Sequence, residues 1–155
     1  MTPRAEGEFV HDVLRAFFES WQAAGLGAIT ADRLPEARSR FAAIARQAIA
    51  GLPASEAAVQ RMRLLGAVGE PGLGEVVFAA EAGRPSAVRE RLLEYELSGE
   101  FAISTGGETR TVRLRGKADR VDLLEEGRFR LIDYKNGSAP KPAQTIQLPI
   151  YAVCV

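Results

Sequence analysis

The stretch from Thr109 to Lys135 leaves the backbone few choices. "TRTVRLRGKADRVDLL" alternates polar and apolar residues, the period-two pattern of a strand with one buried face. "EEGR" then turns the chain, and "FRLIDYK" repeats the same texture. Two such runs on so short a link pair antiparallel. In the second run Phe129, Leu131, Asp133 and Lys135 share one side. The first two are expected to face the core. Asp133 and Lys135 continue that side to the end of the sheet, with Cα atoms about 6.5 Å apart at ~3.3 Å rise per residue. The pair is therefore expected in a cleft where the core opens. The partner strand brings Asp119 or Asp122 beside Asp133. Carboxylates that converge repel each other, and a cation between them makes the cluster tolerable.

The first half of the chain reads as helix. "GEFVHDVLRAFFESWQAAG" sets Phe9 or Val10, Val13, Leu14, Phe17 and Trp21 at three- and four-residue spacing, and Gly25 and Gly27 end the pattern. Thr30 is an expected N-cap for the short piece ahead of Pro35. Ala37, Phe41, Ile44, Ala45, Ala48 and Ile49 mark a second helix, ended by Gly51 and Pro53. Ser55 is expected to cap a third, "SEAAVQRMRLLGA". "GEPGLG" interrupts the chain, and "EVVFAAEAGR" reads as a fourth, short helix, although "EVVF" reads equally as a strand. Near residue 88 the texture changes toward alternation in "RERLLEYELSGEFAIST". After the hairpin, "TIQLPIYAVCV" looks like the start of another helix, and it stops while still apolar, as an excised domain would. The expected fold is α/β: a small central mixed sheet with an antiparallel hairpin, flanked by helices. The expected organisation is a single domain over 1–155, with a helical part at about 1–87 and a sheet-and-motif part at about 88–155.

Composition narrows the functional classes. The apolar fraction of 46% supports a globular core. No run approaches the ~18 apolar residues of a membrane span. "MTPRAEGEFVHD" lacks the basic-then-apolar pattern of a secretion signal, so a cytoplasmic location is expected. Cys154 is the only cysteine, which excludes an intrachain disulfide and a Cys-rich zinc site. The 20 basic and 20 acidic residues cancel, unlike the strongly basic balance of a protein that coats nucleic acid. That balance is compatible with a nuclease, whose centre is acidic. Lysine occurs only at Lys117, Lys135 and Lys141, a skew that a GC-rich genome explains.

The chemistry available to Asp119, Asp133 and Lys135 is specific. Oxygen-only ligands suit Mg²⁺ or Mn²⁺. Mg²⁺ takes one or two carboxylates and keeps positions for water and phosphate. A nearby lysine orients the attacking water or stabilises charge developing on phosphate. The three residues form a minimal kit for metal-dependent phosphodiester hydrolysis. Taken alone, D-x-K is a common tripeptide, and on a surface hairpin its ion pair is worth under ~1 kcal/mol.

The surrounding motifs go further. "GKADRVDLLEEGRFRLIDYKNG" followed by "QLPIY" resembles the core of the PD-(D/E)XK nuclease superfamily. It is most similar to the RecB-like branch, as in the nuclease domain of AddB-type proteins of bacterial double-strand break repair. That branch has G-x-x-D-R-x-D, x-x-D-Y-K and Q-x-x-x-Y in order, with an upstream helical pattern like G-x-x-x-H-x-x-L. Here "GEFVHDVL" supplies the last, and His11 is the chain's one histidine. The likeness covers the N-terminal helix and residues from about 94 to 151.

The resemblance implies a restriction-endonuclease-like fold and a Mg²⁺-dependent deoxyribonuclease, an exonuclease serving recombinational repair in the bacterial cytoplasm beside a helicase. It implies that Asp119 and Asp133 bind the metal with the carbonyl of Tyr134, that Lys135 positions or activates water, and that His11 is a further ligand or lies beside the metal. Gln147 and Tyr151 would share a helix face, shape the site and contact the DNA strand. Glu96 stands where the superfamily often has an acidic residue, with Glu94 or Glu100 as alternatives. Asp122 has a competing reading, an ion pair with Arg120 or Arg130 on the outer face. Many AddB-type domains carry an iron–sulfur cluster on four cysteines. With Cys154 alone, no such cluster is expected here. The alternatives are a non-catalytic DNA-binding or scaffold module on the same fold, or a related phosphodiesterase acting on RNA.

Overall fold

The computed structural model describes residues 1–84, 86–105, 107–134 and 152, with side chains at all of these but 103 and 105. The chain divides into two compact units, Met1–Glu90 and Arg91–Val155.

In the first unit, helix α1 spans Pro3–Ala23. Thr2 caps it, its hydroxyl accepting from the Ala5 amide at 3.3 Å. Pro3 follows at the first helical position, where a missing N–H costs nothing. Val10, Val13, Leu14, Phe17, Phe18 and Trp21 are buried, the stripe that the spacing predicts plus Phe18. Past the helix, Gly25 takes φ 68° and the chain folds back, so that the Trp21 indole donates to the Gly27 carbonyl at 2.9 Å. Thr30 precedes a short 3₁₀ turn at Ala31–Arg33, but its side chain makes no capping bond to the turn's backbone. Helix α2, Leu34–Ala50, buries Ala37, Phe41, Ala45 and Ile49, one residue per turn.

Helix α3, Ala54–Leu65, starts earlier than Ser55 would allow as its cap. Pro53 holds the cap position at φ −55°, and Ser55 lies in the first turn. The fixed proline φ delivers the chain into the helix without a hydroxyl cap. Within "GEPGLG", Glu70–Pro71 form β2, which pairs with β1 (Gly66–Ala67), and Leu73 and Gly74 already begin the next helix. Gly66 is required in β1. Its φ is 81°, and a Cβ would stand 2.5 Å from the Glu70 carbonyl oxygen.

Helix α4, Leu73–Gly83, resolves "EVVF" as helix. It brings Phe78 into an aromatic cluster whose ring centroids lie 4.7 Å from Phe17 and 5.5 Å from Phe41. Phe17 also meets Trp21 at 5.6 Å. Burial of these rings supplies this unit's core, at roughly 25 cal/mol per Å² of apolar area removed from water.

The second unit carries three strands in the order β3-β4-β5: β3 Val88–Thr105, which begins just ahead of the unit boundary, β4 Glu108–Leu124 and β5 Phe129–Ile132. Only residues 106 and 107 separate β3 from β4, so these hydrogen-bonded neighbours run antiparallel. β4 and β5 are antiparallel in the register Arg120↔Ile132, Val121↔Leu131, Asp122↔Arg130 and Leu123↔Phe129. Their turn, Glu125–Gly127, places Glu126 at φ 60° and Gly127 at φ 69°, and the Leu124 amide closes it on the Arg128 carbonyl at 2.8 Å. Leu97, Ala118 and Val121 form the core here, with Leu92, Leu123 and Leu131 against them.

The α/β class stands, with an antiparallel sheet among the described residues. Phe129, expected in the core, lies on the core side of the hairpin but is 38% exposed, because it is the first residue of β5, at the turn end. The helix expected in "TIQLPIYAVCV" lies outside the described residues. No described helix is long and apolar enough to cross a membrane.

Candidate active site

The β4–β5 register sorts the hairpin into two faces, since directly opposed residues point to the same side. One face carries Val121, Leu123, Phe129 and Leu131, and just beyond the last paired residues come Asp119 on β4 and Asp133 past the end of β5. The other carries Arg120, Asp122, Arg130 and Ile132. The apolar face thus leads up to the two aspartates, as the alternation of "FRLIDYK" predicts.

Asp119 is half-buried, and its Oδ2 accepts from the Tyr134 amide at 2.6 Å. This bond ties β4 to the chain just past the end of β5. Glu94 completes the neighbourhood from β3, with carboxylate oxygens of Glu94 and Asp119 within 4.8 Å of each other. Within this strand Glu94 has φ 52°, a left-handed conformation that costs a non-glycine residue about 1–2 kcal/mol. Lys117 Nζ lies 2.7 Å from Glu94 and offsets part of the acidic charge. Asp133 is half-buried, and its carboxylate does not join the Glu94–Asp119 group as a further ligand.

The acidic alternatives separate cleanly. Glu96 is exposed and lines a hollow with Ser98, Arg115 and Lys117. Glu100 is exposed and paired with Arg113. Of the three glutamates, Glu94 stands beside Asp119, and its left-handed φ is a feature that strand periodicity does not signal.

Asp122 goes to the opposite face, but not to an outer one. It is fully buried, as is Arg120, and Arg91 is nearly so. Arg120 approaches it with Nε 2.8 Å from Oδ1 and donates from Nη2 to Oδ2 at 3.0 Å. Arg130 donates to the same Oδ2 from Nη2 at 2.6 Å and from Nε at 3.1 Å. Arg91 Nε stands 3.9 Å from Oδ1. The expected surface ion pair is instead a buried cluster, because a carboxylate surrounded by guanidinium groups can leave water. Arg120 also donates from Nη1 to the Tyr134 hydroxyl at 3.0 Å. Arg91 was not legible from the motif, since it lies about thirty residues upstream of Asp122.

His11 lies on α1, in the helical unit, and is half-buried. Lys135, Gln147 and Tyr151 lie outside the described residues, as does Cys154.

The donor set near Asp119 fits a hard divalent cation. It offers carboxylate oxygens within 4.8 Å of each other, so Glu94 and Asp119 would hold such an ion with small side-chain adjustments. Three converging features define the class: a hairpin ending in aspartates, a glutamate delivered from the neighbouring strand, and a D-Y-K sequence at the exit of β5. The family model of the PD-(D/E)XK nuclease superfamily matches residues 1–155, and the chain belongs to that superfamily. No curated protein and no solved structure matches the chain.

Proposed function

We propose that the chain is a Mg²⁺- or Mn²⁺-dependent deoxyribonuclease of the RecB-like branch, acting on DNA ends or single strands in bacterial double-strand break repair, in the cytoplasm and alongside a helicase. The observation that carries this reading is the approach of the Asp119 and Glu94 carboxylates to within 4.8 Å where the apolar face of the hairpin ends. The branch assignment rests on the sequence motifs.

In this reading Asp119, Asp133 and the Tyr134 carbonyl hold the ion, and Glu94 takes the acidic position first assigned to Glu96. By the resemblance to the branch, His11 would be a further ligand or lie beside the metal. A divalent ion held there supplies positive charge to the scissile phosphate and its leaving oxygen. Lys135 positions the attacking water and stabilises charge on the phosphate. Gln147 and Tyr151 shape the site and contact the DNA strand, and the exonuclease mode follows the branch.

Calorimetric titration with Mn²⁺ tests the ligand set. Asp119→Ala and Asp133→Ala are each expected to abolish measurable binding, whereas Glu100→Ala leaves it unchanged. Incubation with labelled DNA and RNA of the same sequence decides the substrate. Faster cleavage of RNA would replace this reading with that of a ribonuclease.

A further inference from the structure

The buried arginine–aspartate cluster lies on the side of the hairpin away from Asp119, yet it reaches the same residue that Asp119 holds. Tyr134 is gripped at two points: its hydroxyl accepts from Arg120 Nη1 at 3.0 Å, and its amide donates to Asp119 Oδ2 at 2.6 Å. Arg120 is itself fixed, fully buried and paired with Asp122, which Arg130 and Arg91 also approach. Tyr134 directly follows Asp133, and the last residue of β5 is Ile132. Two bonds to Tyr134 tie the segment just past β5, which carries Asp133, to β4.

We propose that Arg120, anchored by Asp122, is a positioning residue that acts through Tyr134 to set the geometry of the metal-binding carboxylates. The chain of contacts runs from the buried Asp122 through Arg120 to the tyrosine hydroxyl. From there it passes along the rigid Tyr134 side chain to the peptide that bonds Asp119. A planar guanidinium suits this task, because its fork engages the carboxylate while another of its N–H groups reaches the hydroxyl. Groups that orient metal ligands from behind typically change metal affinity or activity by about 10–100-fold when removed. The alternative is a cluster that only stabilises the sheet. That alternative gives the hydroxyl of Tyr134 no influence on the metal.

The inference rests on the nuclease reading, and the test separates the two. Arg120→Ala leaves Asp122 buried with fewer partners and is expected to unfold the sheet, so it decides nothing. Tyr134→Phe removes one oxygen and keeps the amide. Mn²⁺ affinity by calorimetry, the melting temperature, and kcat and KM on labelled DNA are measured on the wild type and on this variant. The expected result is Mn²⁺ affinity and kcat each lower by about 10-fold, with KM for DNA within about twofold and folding retained. A variant with wild-type Mn²⁺ affinity and kcat, whatever its melting temperature, overturns the positioning role and leaves the nuclease reading intact. A wild-type chain that neither binds Mn²⁺ nor cuts DNA overturns both.

Discussion

Asp122 and Asp119 sit three residues apart on one strand and have opposite fates. Alternation places them on different faces, and the partners available on each face do the rest. Removing a carboxylate that buried cations depend on is expensive, so Asp122→Ala is expected to lower stability by about 3–5 kcal/mol in urea denaturation. Asp12, exposed and paired with Arg15 on α1, is the control, and Asp12→Ala is expected to cost under about 0.5 kcal/mol. Asp32 gives a prediction with a sign. The Thr30 hydroxyl and the Asp32 amide hydrogen-bond its carboxylate and hold its pKa below the ordinary value of 3.8. A depressed carboxylate contributes stability above the unfolded-state pKa and loses it as pH falls through the folded one. Thr30→Ala is therefore expected to raise the Asp32 pKa in an NMR titration and to shrink the loss of stability below about pH 4.

Among the elements, those with strong periodicity were legible and those shaped by single contacts were not. α1 buries what its spacing predicts, α2 buries Ala37, Phe41, Ala45 and Ile49 while Ile44 and Ala48 are half-buried, and the β4–β5 hairpin follows from alternation plus the "EEGR" turn. α4 was ambiguous because "EVVF" suits either state, and its contact with α2 decides it. Gly74 packs on the Phe41 ring, where a Cβ would approach to 2.5 Å. Gly74→Ala is expected to cost about 1–3 kcal/mol by overpacking, measured by thermal or urea unfolding. The positive φ of Glu94 in β3 leaves no trace in the alternation. Glu94→Gly relieves its left-handed backbone and is expected to leave the melting temperature unchanged or raised, while Mn²⁺ binding weakens. A drop in stability with unchanged Mn²⁺ binding would mean that Glu94 serves the strand and not the ion.

At the scale of the molecule, the sequence reads the hairpin better than it reads what supports it. The strand pairing that leads up to Asp119 and Asp133 was legible because two-residue periodicity and a short turn fix which residues share a side. The choice among Glu94, Glu96 and Glu100 was not, since it turns on one backbone torsion. The Asp122 cluster was hidden because burial of a charged residue depends on partners such as Arg91, remote in sequence. Each unit has its own apolar cluster, aromatic in Met1–Glu90 and aliphatic in Arg91–Val155. The family model of the PD-(D/E)XK superfamily spans both. The central claim is that this chain cuts DNA with a metal held at Asp119 and Asp133. The most direct test is cleavage of labelled single-stranded and duplex DNA by the purified chain with Mg²⁺ or Mn²⁺, beside Asp119→Ala, Asp133→Ala and Lys135→Ala. Cleavage is expected to require the metal and to fall by at least about 100-fold in each variant. Cleavage that survives chelation of the metal, or that persists in Asp119→Ala and Asp133→Ala, would contradict the claim.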